Sequence, residues 1–549
     1  MERLLTIFLL FLFLQACKST DEVDLIVHNA NIYTVDSSLT KIEAFAVKDG
    51  RFVKFGTSQE ILKTCTAKQV VDAQQRSIFP GFYDAHSHFS SLGKLALQAD
   101  LSKVSSFQEI LTLLKVHRRK HPNQGWLFGK GWDQNLWKNR QFPSKDSLDL
   151  AFPDIPVMLE RIDEHSVLVN QKALEMAGIS TQTKVEGGLV EVKNGKLTGI
   201  LLDNAVDLVR SVLPKPSLAE QKEMLMYAQN LCFTKGLTSV CDAGVDKELV
   251  ELIDLMHKNN ELKIRIYAML NPTKENLDHY LQKGIYKTDR LNVRSFKVFT
   301  DGALGSRGAL LLKPYEDSPQ NYGILRTSIT EMQSIFELAD QAGFQVGTHC
   351  IGDSANRLVL DLYGQNLKGK NDKRWRIEHC QIVDSADIPK FGKFSIIPSV
   401  QPTHCTSDML WAETRIGKKR LKNAYPFKYL FQQNQLIAFG TDFPVEDANP
   451  MYSFHAAIAR QNFMHEPEEG FQMENAIDPI NSLKAMTIWA AYANFEEKER
   501  GSIEIGKMAD FVILDTDITD THPRLLRLTR ILNTFVAGEK VYSNYEAGY

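Results

Sequence analysis

His86, His88, Lys297, His349, His379 and Asp442 each stand on or just past the last residue of a short apolar run. Imidazole nitrogens with a carboxylate oxygen are the donors that suit a divalent first-row ion, zinc foremost. The chemistry such a set can perform is metal-assisted hydrolysis. His86-Ser87-His88 is the strongest local signal, because side chains two apart on a strand share a face and put both imidazoles on one side. The motif gains weight from two further strand-end histidines, in Val346-Gly347-Thr348-His349 and Arg376-Ile377-Glu378-His379, and from the aspartate of Phe439-Gly440-Thr441-Asp442. A metal site accounts for that convergence better than scattered structural histidines do.

Eight short apolar runs end in polar residues, at 78–88, 238–244, 264–270, 295–302, 344–352, 375–381, 396–401 and 436–444. Stretches patterned as helices separate most of them, at 219–235, 247–259, 329–342 and 354–367. Eight strands alternating with helices predict an α/β fold of the (β/α)₈ TIM-barrel type, and each candidate ligand then falls at the C-terminal end of its strand, where barrel enzymes keep their sites. The interval 92–236 is far longer than one crossover needs and predicts an inserted subdomain after the first strand, a natural lid or specificity wall. Residues 23–78 and 499–549 alternate apolar and polar side chains between turn signals, predicting a small β-sandwich built from both termini, with the hydrolase barrel over 79–498.

The chain has 549 residues, 43% hydrophobic and 24% charged, enough apolar material for a large core. With 64 basic and 67 acidic residues and a net charge of −3, it shows no long like-charge block that would attract nucleic acid. A small-molecule substrate is the expected partner, and the oligomeric state, homo-oligomer included, is left open. Met1-Glu2-Arg3 followed by the apolar stretch 4–14 has the form of a secretory signal, too short to span a bilayer permanently. Leu14-Gln15-Ala16-Cys17 resembles a bacterial lipobox, so residues 1–17 are expected to be a lipoprotein signal, with lipid on Cys17 tethering an exported protein to a membrane. Cys65, Cys232, Cys241, Cys350, Cys380 and Cys405 remain. An even count permits disulfides, but buried thiols are the simpler reading.

The motifs Pro80-Gly81-Phe82-Tyr83-Asp84-Ala85-His86-Ser87-His88, Lys297 to Arg307, His349, Glu378-His379, Gly440-Thr441-Asp442-Phe443-Pro444 and Gly506-Lys507-Met508-Ala509-Asp510 together resemble the amidohydrolase superfamily, in its amidohydrolase 3 (YtcJ-like) branch that includes N-substituted formamide deformylases. The resemblance implies a barrel flanked by a β-sandwich, with His86, His88, His349, His379 and Asp442 as metal ligands and Asp442 also as the base toward metal-activated water. It implies that Lys297 is carboxylated to a carbamate bridging two ions. The alternative is a lysine paired with Asp301 or with substrate beside one ion. His165 resembles a family position that faces the substrate, although Glu164 stands where relatives often have glycine. Gln401 and His404 could orient a carbonyl, and Asp301, Ser306 and Arg307 could close the site; a structural hydrogen-bonding role is the alternative for each.

The activity expected is hydrolysis of a non-peptide carbon–nitrogen bond in a formamide, N-acyl amine or cyclic amide, using one or two divalent ions. The alternatives are an ester, lactone or phosphoester hydrolase on the same site, or a non-catalytic small-molecule-binding lipoprotein.

Overall fold

The computed structural model describes residues 20–134, 137–138, 141–161, 166–185 and 188–544. Two compact units divide the chain, residues 90–228 forming the second and the remainder the first.

In the first unit, eight strands lie side by side in sequence order and pair in parallel. They are β1 (Phe82–Ser87), β2 (Leu237–Val245), β3 (Arg265–Leu270), β4 (Leu291–Phe299), β5 (Gln345–Cys350), β6 (Arg376–His379), β7 (Ile397–Val400) and β8 (Ala438–Phe439). Most of their residues are buried, as the near-continuous apolar runs of an all-parallel sheet require. The chain just past β8 returns to β1: the Asp442 amide donates to His86 O and the His88 amide to Phe443 O, each at 2.8 Å. Gly440 makes that approach feasible, because a Cβ there would sit 2.5 Å from the His86 nitrogen. The result is the expected (β/α)₈ barrel, with helices such as Ile329–Ala342 and Asp353–Leu367 in the crossovers.

One expected strand is corrected. The run 78–88 is two strands, because Ser77–Pro80 joins the small sheet antiparallel to Phe511–Leu514, and only after Gly81 does the chain enter β1. An unbroken apolar run carries no mark of a change of sheet.

The small domain of this unit has two sheets. One is ordered Arg51–Gly56, Ala44–Lys48, Asp21–His28, Cys65–Asp72. The other is ordered Glu539–Ser543, Ile531–Val536, Phe511–Leu514, Ser77–Pro80, Asn31–Tyr33, Lys41–Ile42. Leu25, Val27, Phe45 and Phe52 of the first share a core with Ile32, Ile78, Phe511 and Phe535 of the second, which is the expected β-sandwich.

The second unit is built on a six-stranded sheet that includes Leu127–Trp132, Val157–Arg161 and Ser166–Val169. Alternate residues serve opposite faces: Leu159 and Leu168 enter one core, Met158, Val167 and Val169 another. Trp132 and Trp137 join the first core and Trp126 the second, so these tryptophans pack the insertion.

Cys65, Cys232, Cys241, Cys350, Cys380 and Cys405 are buried free thiols. Among the described residues no helix is long and apolar enough to cross a membrane. Residues 1–17, with Cys17, lie outside the described residues, as does His165.

Candidate functional site

At the C-terminal ends of the barrel strands the histidines arrive with their far nitrogens already engaged. His86 Nδ1 lies 2.6 Å from Glu378 Oε2, His88 Nδ1 2.8 Å from the Ala243 carbonyl and His379 Nδ1 2.8 Å from Gln401 Oε1. Each oxygen can only accept, so each Nδ1 carries the proton and each Nε2 presents its lone pair, that of His86 within 3.2 Å of Lys297 Nζ.

Those lone pairs converge on a carboxylate. Asp442 Oδ1 is 3.2 Å from His88 Nε2 and 3.5 Å from His86 Nε2, and Asp442 Oδ2 is 3.8 Å from His404 Nε2. Lone pairs facing an anion repel one another unless a cation lies between them. The ligand atoms of His86, His88 and Asp442 all lie within 4.8 Å of one another, and so do those of His379, His404 and Asp442. Buried Asp442 Oδ1, His404 Nε2, His349 Nε2 and Gln401 Nε2 have no hydrogen-bond partner among the described residues. This donor chemistry fits a divalent cation at either trio, with Asp442 common to both.

The electrostatics keep the imidazoles able to donate. Burial, with Lys297 next, pulls His349 down to about 3, and burial with the neighbouring His349 holds His379 well below the usual histidine range. His349 belongs to neither trio; its ring packs on that of His379 with centroids 4.5 Å apart. Fully buried Lys297 places Nζ 3.2 Å from His86 Nε2, and burial lowers its pKa. His379 and Asp442 both stand in the left-handed region, at φ 74° and 62°.

Two supports tie the site to the barrel. Asp84, buried on β1, accepts from the Thr441 hydroxyl at 2.7 Å and from the amides of Thr441 and His86 at 3.1 Å, clamping the end of β8 to β1; its burial raises the carboxyl to about 7. Glu378 is the residue that strand-end reasoning passes over. It sits beside His349 in the β5–β6 register and reaches back to His86. Burial pushes its carboxyl up, but Arg376 and then His86 outweigh that and hold it ionised. The available signal is Arg376-Ile377-Glu378, two charges inside an otherwise apolar run, which must pair if buried.

The loop after β4 departs from expectation. Asp301 does not pair with Lys297: its carboxylate accepts from the amides of Leu310, Ile351 and Gly352 at 2.9, 3.1 and 2.8 Å, stapling loop to barrel. Arg307 bonds Asp317 at 3.0 and 2.8 Å, and exposed Ser306 donates to Ala303 O at 3.4 Å, so both serve the loop itself. Gln401 and His404 do stand in the cluster, Gln401 as the partner of His379 and His404 facing Asp442.

A barrel with a β-sandwich partner and a histidine–aspartate cradle at the strand ends defines the metal-dependent hydrolases. The chain belongs to the amidohydrolase family, whose model matches residues 69–542. Among curated proteins it is 33% identical over 539 residues to Protein LONG AFTER FAR-RED 3 of Arabidopsis thaliana, covering 94% of this chain and 91% of that one. It is 31% identical to the putative amidohydrolase YtcJ of Bacillus subtilis, covering 94% and 98%. N-substituted formamide deformylase of Arthrobacter pascens is 25% identical, covering 94% and 97%. In structure it matches an uncharacterized metal-dependent hydrolase from Pyrococcus furiosus with a TM-score of 0.76 at 27% identity, covering 90% of this chain and 100% of that one.

Proposed function

We propose that this protein hydrolyses a non-peptide carbon–nitrogen bond of a small-molecule amide, in the class of formamides, N-acyl amines and cyclic amides. The observation that carries this reading is the convergence of the Nε2 atoms of His86 and His88 on Asp442 Oδ1 at 3.5 and 3.2 Å. Divalent metal, zinc being the first choice, would be held by His86, His88 and Asp442 and by His379, His404 and Asp442, and would supply Lewis acidity toward water and the carbonyl. Asp442 accepts the proton of the attacking water and returns it to the leaving nitrogen. Gln401 Nε2, without a hydrogen-bond partner among the described residues, orients the carbonyl oxygen. Burial lowers the Lys297 pKa, which favours the uncharged amine that takes up carbon dioxide, and a carbamate there would add two oxygen donors. The deformylase relative supports the choice of bond.

The test is turnover of zinc-loaded protein on matched amides and esters. Amide cleavage lost on chelation and restored by zinc is expected. Turnover of esters or lactones alone overturns the bond assignment, and ligand binding without turnover of any substrate overturns the catalytic reading.

Export with a lipid on Cys17 is part of the same proposal. Cys17→Ala is then expected to move the protein from the membrane to the soluble fraction; unchanged partition would contradict it.

A further inference from the structure

The three imidazoles with engaged Nδ1 atoms are backed by groups of different charge. Behind His88 and His379 stand neutral oxygens, the Ala243 carbonyl and the Gln401 amide, both at 2.8 Å. Behind His86 stands a carboxylate, Glu378 Oε2, at 2.6 Å. That carboxylate is locked. Its other oxygen accepts from Arg376 Nε at 2.7 Å, and the guanidinium spends its remaining arms on Asn494 Oδ1 at 2.7 Å and the Ala85 carbonyl at 3.0 Å. His86, Glu378, Arg376 and Asn494 are all 0% exposed. Gly347 leaves room for the arrangement, since a Cβ there would come within 2.8 Å of Glu378 Oε1.

A carboxylate behind an imidazole draws the Nδ1 proton toward itself and enriches Nε2, making that nitrogen the stronger donor to a cation; a neutral oxygen does so far less. The fixed geometry also removes the freedom His86 would otherwise lose on binding a metal.

From this we infer that the two ion positions are unequal. The position on His86, His88 and Asp442 binds a divalent metal tightly because Arg376 and Glu378 back His86, and the position on His379, His404 and Asp442 binds its ion weakly. Glu378 acts through His86 and is a positioning residue. The inference rests on the metal-dependent reading above and extends it to how the metal is distributed.

The experiment titrates the metal-free full chain with zinc against a chromophoric chelator, which resolves the affinity of each equivalent without reference to turnover. Glu378→Gln keeps the shape and one acceptor but removes the charge. It is expected to weaken the tight equivalent about 10–100-fold and to leave the weak one within twofold. Gln401→Glu places a carboxylate behind His379 and is expected to tighten the weak equivalent. Equal weakening of both equivalents by Glu378→Gln, or no change in the tight one, overturns the inference, as does Gln401→Glu without effect. Should Glu378→Gln fail to fold, Gln401→Glu decides alone. Two equal affinities in the unaltered protein overturn this inference only, whereas failure to bind any metal overturns the functional reading beneath it.

Discussion

The two ends of the barrel treat buried charge in opposite ways. At the N-terminal ends of the strands, three buried or half-buried carboxylates are each met by a donor, although Arg294 Nε and Arg500 Nε there have no hydrogen-bond partner among the described residues. Arg265 of β3 holds Asp510 through two bonds of 2.6 and 2.8 Å, Arg374 ahead of β6 holds Glu497 at 2.9 and 3.2 Å, and the Tyr83 hydroxyl donates to Glu496 at 3.0 Å. At the C-terminal ends, buried polar atoms of His349, His404, Gln401 and Asp442 have no hydrogen-bond partner among the described residues, and His404 Nε2 and Asp442 Oδ2 stand 3.8 Å apart. An unmet buried polar atom costs about 1–3 kcal/mol. One end holds the molecule together; the other holds stability in reserve for a ligand and so marks where the chemistry occurs.

Substitutions at the two ends should therefore separate activity from stability. The largest effect is expected from Asp442→Asn, which keeps the shape but removes the base and a shared ligand. Turnover should fall roughly 10³-fold while the thermal midpoint of the metal-free protein holds or rises; a matching fall in both, measured by kinetics and calorimetry, would blur the contrast. Chelation should abolish turnover and lower the midpoint, because an ion bound only to the folded state stabilises it by mass action. At the opposite end, Asp510→Ala leaves the Arg265 guanidinium buried and unpaired, and should cost about 3–5 kcal/mol in denaturant unfolding with kcat per folded molecule within twofold.

A smaller effect sharpens the same division through pH. His257 donates Nε2–H to the Ile264 carbonyl just before β3, and burial pulls its pKa down to about 4. A histidine depressed in the folded state contributes stability that is present above its unfolded pKa near 6.5 and lost as pH falls toward 4. Up to about 3 kcal/mol is expected to disappear over that window, and His257→Gln should flatten the acid limb of the midpoint against pH. An unchanged limb would remove His257 from the account.

Much of the reactive end was readable from the chain alone, because a parallel strand is an apolar run and a polar residue at its end stands out. His86, His88, Lys297, His349, His379 and Asp442 stand out by that rule; the barrel brings His86 and His88 to Asp442 and His379 to Asp442 and His404, while His349 stands in neither trio. Glu378 escapes it, since its partner His86 is distant in sequence and only the β5–β6 register and the Arg376 bond reveal why a charge lies inside a strand. The division at Gly81 was hidden for the opposite reason: residues on both sides are apolar, and the constraint is spatial, a Cβ at Gly81 lying 2.2 Å from Thr238 Oγ1. Asp301 misleads because a carboxylate near a lysine suggests an ion pair, whereas three backbone amides from later loops claim it.

The most direct test of the account is the metal content per chain, by elemental analysis of protein lacking residues 1–17 and loaded with zinc and bicarbonate, beside a variant with both His86 and His88 replaced by alanine. At least one tightly held equivalent is expected in the unaltered chain, and its loss in the variant. No bound metal under any loading, or equal content in both proteins, would contradict it.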